Sequence, residues 1–168
     1  MTTLRTERLV LRPAVWDDLP AFHEIMSDPA AMAYWSTPPF PDIETTRDWF
    51  GSMIEGGERS ADFVITLDGR VIGKAGVWRL PEIGIILHPD VWGRGIAREA
   101  LSAIIAHLWA STETPSLTVD IDPRNTASLA LFAGLGFVET GRAERTFCID
   151  GVWADSVYLA LERPKPSR

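Results

Sequence analysis

The chain has 168 residues, of which 46% are hydrophobic and 23% charged, a balance typical of one globular domain spanning residues 1–168. Its formal net charge of −7 argues against a surface for nucleic acid, and the lack of a long apolar run argues against a membrane span. The single cysteine, Cys148, excludes an internal disulfide or a multi-cysteine site, and we expect it to pack in the core. A charged N-terminus without an apolar signal core predicts a soluble, cytoplasmic protein.

The first half of the chain mixes strand and helix patterns. The predicted elements are, in order, a strand at Arg8–Arg12, a helix opened by Asp17 or Asp18, a loop from Asp28 to Pro41, a helix from Asp42 to Glu55 ended by Gly56-Gly57, and two strands, Asp62–Leu67 and Arg70–Arg79, joined at Asp68-Gly69. The loop is rich in proline and holds Trp35 and Phe40, which either line a cleft or cover the edge of the core.

The stretch from Glu82 to Ser111 organises the rest of the chain. Ile83–Leu87 is a short apolar run, which predicts a strand covered on both faces. From Ile96 onward apolar residues recur every three or four positions, which predicts an amphipathic helix. Gly93 and Gly95 lie in the turn before that helix, where its free N–H groups and positive dipole end suit a phosphate or pyrophosphate. A tight turn without any ligand is the alternative, because an isolated Gly-x-Gly is a weak signal.

The last third of the chain adds a strand, a helix and a hairpin. The predicted elements are a strand at Leu117–Ile121, a helix capped by Asn125 and ended at Gly134, and two strands, Phe137–Ile149 and Val152–Leu161, joined at Asp150-Gly151. Two strands joined by a helix should run parallel, in a right-handed crossover. The sequence therefore predicts a mixed α/β fold with a mostly antiparallel sheet and one parallel β-α-β crossover.

The hexapeptide Trp92-Gly93-Arg94-Gly95-Ile96-Ala97 resembles the pyrophosphate loop of the GNAT acetyltransferases, which follows Gln/Arg-x-x-Gly-x-Gly/Ala. Trp92 departs from the first position of this motif. However, LHPDVWGRGIAREAL is similar to the RimJ/RimL-like branch of the family, which is related to ribosomal-protein N-terminal acetyltransferases, and in that branch tryptophan is usual at the first position. Asn125, Ser128 and Gly136-Phe137 resemble the second signature of the family. The resemblance implies the GNAT acyl-CoA N-acyltransferase fold, acetyl-CoA as co-substrate without a metal, and acetyl transfer to a primary amine.

The resemblance also implies which residues hold acetyl-CoA. In relatives the asparagine helps to hold the pantetheine arm, and the strand before the turn supplies a backbone donor to the oxyanion, here Ile86 or Leu87. Arg94 and Arg98 can add charge-assisted contacts to the phosphates. The implied cofactor-binding residues are Ile85, Ile86, Leu87, Trp92, Gly93, Arg94, Gly95, Ile96, Ala97, Arg98, Asn125, Ser128 and Phe132.

The implied catalytic residues are less well defined than the cofactor loop. Many relatives use a tyrosine as general acid where this chain has Phe132, so Ser128 or a water must serve the departing thiolate. The alternative for Ser128 is a helix serine bonded to a backbone carbonyl. A protonated amine is no nucleophile, so a base must accept its proton. The resemblance points first to Glu82, acting through water, and second to Glu144, although each can also be a plain exposed carboxylate.

The acceptor, a protein N-terminal α-amine or a small-molecule amine, is not defined by the sequence. We expect it to bind beside Trp35 and Phe40 and to attack the thioester directly in a ternary complex. One alternative is a non-catalytic acyl-CoA-binding sensor or scaffold, and another is a nucleotide-binding protein that uses the same turn. A homodimer is common among relatives, although no residue here demands one. The scattered histidines His23, His88 and His107 argue against a metal site.

Overall fold

The computed structural model describes residues 2–55 and 61–165, and within them the chain forms eight strands and four α-helices. The strands are β1 (Leu4–Arg5), β2 (Leu9–Arg12), β3 (Ala61–Leu67), β4 (Arg70–Arg79), β5 (Glu82–Leu87), β6 (Ser116–Ile121), β7 (Val138–Ile149) and β8 (Val152–Glu162). The helices are α1 (Leu19–Met26), α2 (Ile43–Glu55), α3 (Ile96–Ser111) and α4 (Thr126–Gly134). None of these helices is both long and apolar enough to cross a membrane.

The eight strands form one sheet in the order β1-β2-β3-β4-β5-β6-β8-β7. Strands β5 and β6, which α3 connects, are parallel, and every other neighbouring pair is antiparallel. The predicted mixed α/β fold with one parallel crossover is therefore confirmed.

Both faces of the sheet are covered by helices. On one face α3 buries Leu101 against strand residues such as Phe63. On the other face α1 buries Phe22 against Val64, the next residue of β3, because successive side chains of a strand point to opposite sides. Ile86 of β5 lies on this second face as well, packed against α1. The face of α1 and α2 also carries the polar side chains described below.

In the N-terminal half, one strand was not predicted, one predicted helix cap does not form, and one predicted helix end cannot be compared. Strand β1 was not predicted, because two residues carry no periodicity. Asp18 lies directly before α1, but its carboxylate does not cap that helix; it accepts N–H groups of Arg12 at 2.7 and 2.8 Å and of Val15 at 3.0 Å. The bidentate ion pair is the stronger interaction and takes the carboxylate away from the helix end. The predicted stop of α2 at Gly56-Gly57 lies outside the described residues.

Cys148 is exposed, so the expectation that it packs in the core is wrong. The residue lies on β7, the last strand of the sheet, where most side chains are exposed. No described residue of β7 belongs to a core cluster, so Cys148 has no core to pack into.

Candidate active site

A cleft of about 1280 Å³ opens where the two parallel strands separate. Strands β5 and β6 pair only at Glu82 and Thr118, where the Thr118 N–H donates to the Pro81 carbonyl at 2.9 Å. Beyond this point the strands diverge toward their carboxyl ends. Ligands of α/β sheets bind outside those ends, so the gap is a natural site for an extended molecule.

The direction of the backbone N–H groups along β5 decides which of them face the gap. The His88 N–H donates to the Ile72 carbonyl at 2.8 Å, toward β4. Because this direction alternates along a strand, the Ile86 N–H also faces β4, whereas those of Ile85 and Leu87 face the gap. Ile86 is therefore excluded as an oxyanion donor. Ile85 lies about 7 Å deeper than Leu87, nearer the closed end of the gap.

The turn after β5 has the geometry of an anion site. Gly93 and Gly95 adopt φ angles of 70° and 75°, which strain any residue with a Cβ. The N–H groups of residues 93–98 have no hydrogen-bond acceptor among the described residues. The first N–H group with an acceptor is that of Glu99, which donates to the Gly95 carbonyl at 3.1 Å. Unpaired donors at the positive end of a helix suit a phosphate or pyrophosphate.

The side chains around this turn differ in their contacts. Trp92 lines the cleft, and its indole N–H donates to the Leu87 carbonyl at 3.0 Å. Arg98 also lines the cleft and donates to the Gly134 carbonyl at 3.2 Å, which links α3 to α4. Arg94 is exposed and is not one of the cleft-lining residues, so its predicted contact with the phosphates has no support from its position. Ile96 and Ala97 line the cleft at the start of α3.

The second signature lies across the gap, at the start of α4. Asn125 caps the helix as predicted, since its Oδ1 accepts the Ser128 N–H at 3.1 Å. Within the described residues the Ser128 hydroxyl has no hydrogen-bond partner, whereas that of Ser27 donates to the His23 carbonyl at 2.6 Å. Ser128 also lines the cleft, so its hydroxyl is available to a ligand. Phe132 lines the same wall, almost fully buried, and has no proton to donate.

The aromatic loop contributes one of its two predicted residues to the cleft. Trp35 lines it, with its ring edge-on to Trp49 at 6.4 Å. Phe40 lies outside the described lining and packs beside Trp49 at 6.1 Å and against the cluster that contains Ile86. Phe40 therefore covers the edge of the core, which was the alternative for this loop.

The two acidic residues predicted as bases lie in different places. Glu82 lines the cleft at the closed end of the gap. Glu144 is exposed in an irregular part of β7 and is not part of the described lining. On the same hairpin it is Asp155 that lines the cleft, with Oδ1 accepting the Arg145 N–H at 2.9 Å.

Asp120 is a cleft residue that the sequence prediction missed. Counting two residues along both strands from the Glu82–Thr118 pair places it opposite Gly84, on the face away from α3. Burial raises the pKa of Asp120, a hydrogen bond from Ser156 opposes this, and the charge of Asp122 raises the pKa further. The signal was present in the sequence, because Asp120 sits between two core residues of an alternating strand and so must face away from the core.

A buried ion pair forms another unpredicted part of the cleft wall. Asp62 and Lys74 pair on neighbouring strands, and the Lys74 ammonium lies 5.4 Å from the centre of the Trp49 ring. Both charged residues line the cleft, and Asp62 is only 2% exposed. A buried pair of this kind fixes the position of both side chains rather than adding much stability.

The described residues contain no cluster of three or more His, Cys, Asp or Glu side chains that could hold a metal ion. The polar groups of the cleft include backbone N–H groups, a free hydroxyl, carboxylates, and the Lys74 and Arg98 side chains, which are already bound to Asp62 and to the Gly134 carbonyl. This set can bind an anion at one end, stabilise a developing oxyanion in the middle and accept a proton from a cation.

Comparison with known proteins agrees with this geometry. Residues 8–138 match the family described as Acetyltransferase (GNAT) domain. An uncharacterized N-acetyltransferase, p20, of Bacillus licheniformis is 30% identical over 151 residues, which cover 84% of this chain and 85% of that protein. The spermidine N(1)-acetyltransferase of Escherichia coli K12 is 24% identical over 160 residues, which cover 90% of this chain and 84% of that protein.

A solved structure shows the same fold. RimL, a ribosomal L7/L12 α-N-protein acetyltransferase in complex with coenzyme A, has a TM-score of 0.83 at 20% identity, covering 96% of this chain and 98% of that chain. The chain therefore belongs to the GNAT acetyltransferases and is an N-acetyltransferase that uses acetyl-CoA as its co-substrate.

Proposed function

We propose that the chain acetylates a primary amine of a small cationic molecule, preferably one with a second amine. The observation that carries this proposal is the pair of carboxylates at the closed end of the gap. Glu82 and Asp120 line the cleft, and neither forms an ion pair with a described basic side chain. Uncompensated carboxylates beside aromatic walls attract an amine with an apolar body.

The proposed reaction is direct attack in a ternary complex. Acetyl-CoA supplies the acetyl thioester, with its phosphates on the N–H groups of residues 93–98 and its arm along β5. The bound ammonium first loses one proton to water, and the neutral amine then attacks. Asp120 accepts the second proton of the nitrogen as the N–C bond forms, because its raised pKa makes it a better base than an ordinary aspartate. The Ile85 N–H donates to the oxyanion while the N–C bond forms. The C–S bond then breaks, and the Ser128 hydroxyl donates to the departing thiolate.

Glu82 has a separate role in this proposal. It lies two residues deeper than Gly84, at the point where β5 and β6 still pair. From there it can hold the second ammonium of the acceptor or pass a proton through water. Glu144 takes no part in the proposed mechanism, because it is exposed and is not one of the described cleft-lining residues.

Similarity to named proteins supports two finer assignments. The match to a spermidine acetyltransferase over most of both chains favours a polyamine-like acceptor. The likeness to RimL, together with Trp92 in the cofactor loop, supports a place in the RimJ/RimL-like branch. An α-amine at a protein N-terminus is the competing acceptor, and the two can be separated by experiment.

The test is the release of free CoA from acetyl-CoA with a panel of amines. The panel contains spermidine, 1,4-diaminobutane, a lysine-free peptide that begins with alanine, and glutamate as an anionic amine. We expect the diamines to give kcat/KM at least about tenfold above glutamate, since one unfavourable charge pair costs on the order of 1 kcal/mol or more. Asp120→Asn should reduce kcat, and Glu82→Gln should raise KM for diamines more than KM for the peptide.

Preference for the peptide over every diamine would overturn the proposed acceptor. Binding of acetyl-CoA without turnover of any amine would instead favour the non-catalytic module. The matched control is Glu144→Gln, because Glu144 is an exposed carboxylate outside the described cleft lining.

A further inference from the structure

Three groups from the N-terminal segment meet on one carboxylate of α3. Glu99 Oε1 accepts the Thr6 hydroxyl at 2.6 Å and the Arg8 N–H at 2.9 Å, and Glu99 Oε2 accepts the Arg8 Nε–H at 2.7 Å. The two segments are more than ninety residues apart in sequence. Glu99 lies in the first turn of α3, directly after the glycine turn. The start of β2 is thus tied to the start of the cofactor helix.

The same arginine also contacts the glycine turn. Arg8 Nη1 donates to the Arg94 carbonyl at 2.9 Å, between Gly93 and Gly95. A Cβ built on Gly95 would lie 3.6 Å from Arg8 Nη2. The guanidinium therefore joins the turn to the helix that follows it, using one edge for Glu99 and another for the turn.

The charge of Glu99 distinguishes a positioning role from a ligand role. A carboxylate beside a phosphate site repels the phosphate, so Glu99 is not itself a ligand. The hydrogen bonds from Thr6 and Arg8 hold its pKa below the ordinary value although burial acts in the opposite direction. Arg8 Nη2 also lies 2.7 Å from Glu99 Oε2, so most contacts of this ionised carboxylate are with Arg8, and its function is to hold that arginine.

We propose that Arg8 and Glu99 are positioning residues that hold the turn at residues 93–95 in the conformation that binds the cofactor phosphates. Gly93 and Gly95 both adopt left-handed backbone conformations. Because the N–H groups of residues 93–98 are unpaired among the described residues, the turn donates no backbone hydrogen bond that could hold its conformation. A guanidinium with rigid, planar donors is suited to fix a carbonyl and a carboxylate at the same time. The proposal rests on the assignment of this turn as the acetyl-CoA site.

The experiment compares Arg8→Lys, Arg8→Ala, Glu99→Gln and the double variant Arg8→Ala/Glu99→Gln with the wild type. Arg5→Ala is the matched control, because Arg5 is an exposed arginine of the same segment. The Kd of acetyl-CoA is measured by calorimetry, and KM for each substrate and kcat are measured by CoA release. The Tm of each variant without ligand shows whether it is folded.

We expect each single variant to weaken acetyl-CoA binding about tenfold, the value of one lost charge-assisted hydrogen bond, with kcat and the amine KM within about twofold of wild type. Arg8→Lys should be as weak as Arg8→Ala, since lysine keeps the charge but not the fork. The double variant should be no weaker than either single variant, because both remove the same interaction. Arg5→Ala should bind as wild type does.

Tighter binding by Glu99→Gln would overturn the proposal, because it is what simple charge repulsion predicts. Wild-type affinity in Arg8→Lys would also overturn it and would leave Arg8 as a source of charge only. Failure of the wild type itself to bind acetyl-CoA would instead remove the assignment of the turn, so the two failures are distinguishable.

Discussion

Ser128 differs from two other helix serines, Ser52 and Ser111, in what its hydroxyl contacts. The hydroxyls of Ser52 and Ser111 donate to backbone carbonyls at 2.6 and 2.8 Å, as serines in helices commonly do. That of Ser128 makes no such bond in the described part of the chain, and it lines the cleft beside the cofactor turn. A hydroxyl left free at this place is suited to donate to a thiolate.

Ser128→Ala should therefore lower kcat by at least about tenfold. The loss should stay below the usual contribution of proton transfer, because a thiolate is already a stable leaving group. The Kd of acetyl-CoA should stay within about twofold of wild type. Ser111→Ala is the control, since its hydroxyl is bonded within its own helix. An unchanged kcat in Ser128→Ala would assign the thiolate proton to water.

The pKa of Asp120 gives a prediction whose sign is fixed by its neighbours. A base must be ionised, so kcat/KM for the amine falls at acid pH as Asp120 becomes protonated. Asp122→Asn removes a charge that raises this pKa and should move the acid limb to lower pH. Ser156→Ala removes a hydrogen bond that lowers it and should move the limb to higher pH.

The two shifts are measured in pH profiles at saturating acetyl-CoA. Arg124 pairs with Asp122 at 2.5 Å, so Asp122→Asn also frees a cation near the site, which acts in the same direction. Glu82 is the other carboxylate at the closed end of the gap without an ion pair to a described basic side chain. Shifts of the same sign in both variants, or an acid limb that persists unchanged in Asp120→Asn, would assign the base to Glu82 instead.

At the scale of elements, α4 depends on one cap. The Asn125 side chain accepts the Ser128 N–H at 3.1 Å, so it stabilises the helix and orients the residue proposed to serve the thiolate. Asn125→Ala should lower the free energy of unfolding by about 1 kcal/mol, whereas Asn125→Asp keeps the acceptor and should cost little. Denaturant unfolding checks both values. Equal losses in the two variants would show that the cap is not what stabilises the helix.

Strand β5 and the turn that follows it show which features of the fold the sequence alone can predict. Apolar periodicity and the two glycines were sufficient for the strand, the turn and α3, because these depend on local pattern. Whether Ile85 or Ile86 faces the gap depends on the register with β4, which no local pattern contains. The same limit applies to Phe40, whose loop carries an aromatic signal but no information on which ring reaches the cleft.

For the acidic residues, the resemblance to a family was less informative than strand geometry. It pointed to Glu144, which lies outside the described cleft lining, and it passed over Asp120. Alternation along β6 was enough to place Asp120 off the core face. Its raised pKa, in contrast, arises first from burial and then from the charge of Asp122, against a hydrogen bond from Ser156 that lowers it. Burial and the bond from Ser156, which lies on β8, exist only in the assembled sheet.

At the scale of the whole molecule, the sheet separates two tasks. The gap between β5 and β6 exposes the free N–H groups of β5 and leads to the glycine turn, whereas the face of α1 and α2 presents carboxylates and aromatic rings. A donor can thus enter along the gap while the amine approaches from that face. Dimerisation and a cytoplasmic location stay predictions from the sequence.

Binding of acetyl-CoA at the turn Gly93–Gly95 can be measured by ligand-induced thermal stabilisation with acetyl-CoA, CoA, ATP and NAD. At 100 times its Kd a ligand of the folded state stabilises by about 2.7 kcal/mol, a rise in Tm of roughly 5–10 °C for a chain of this size. The variants are Gly95→Val and the control Gly69→Val, which strains a hairpin glycine with a similar φ, 81° against 75°.

We expect a rise in Tm with acetyl-CoA and CoA but not with ATP or NAD, retained in Gly69→Val and lost in Gly95→Val. A rise of equal size with ATP, or a full acetyl-CoA response in Gly95→Val, would contradict binding of acetyl-CoA at this turn.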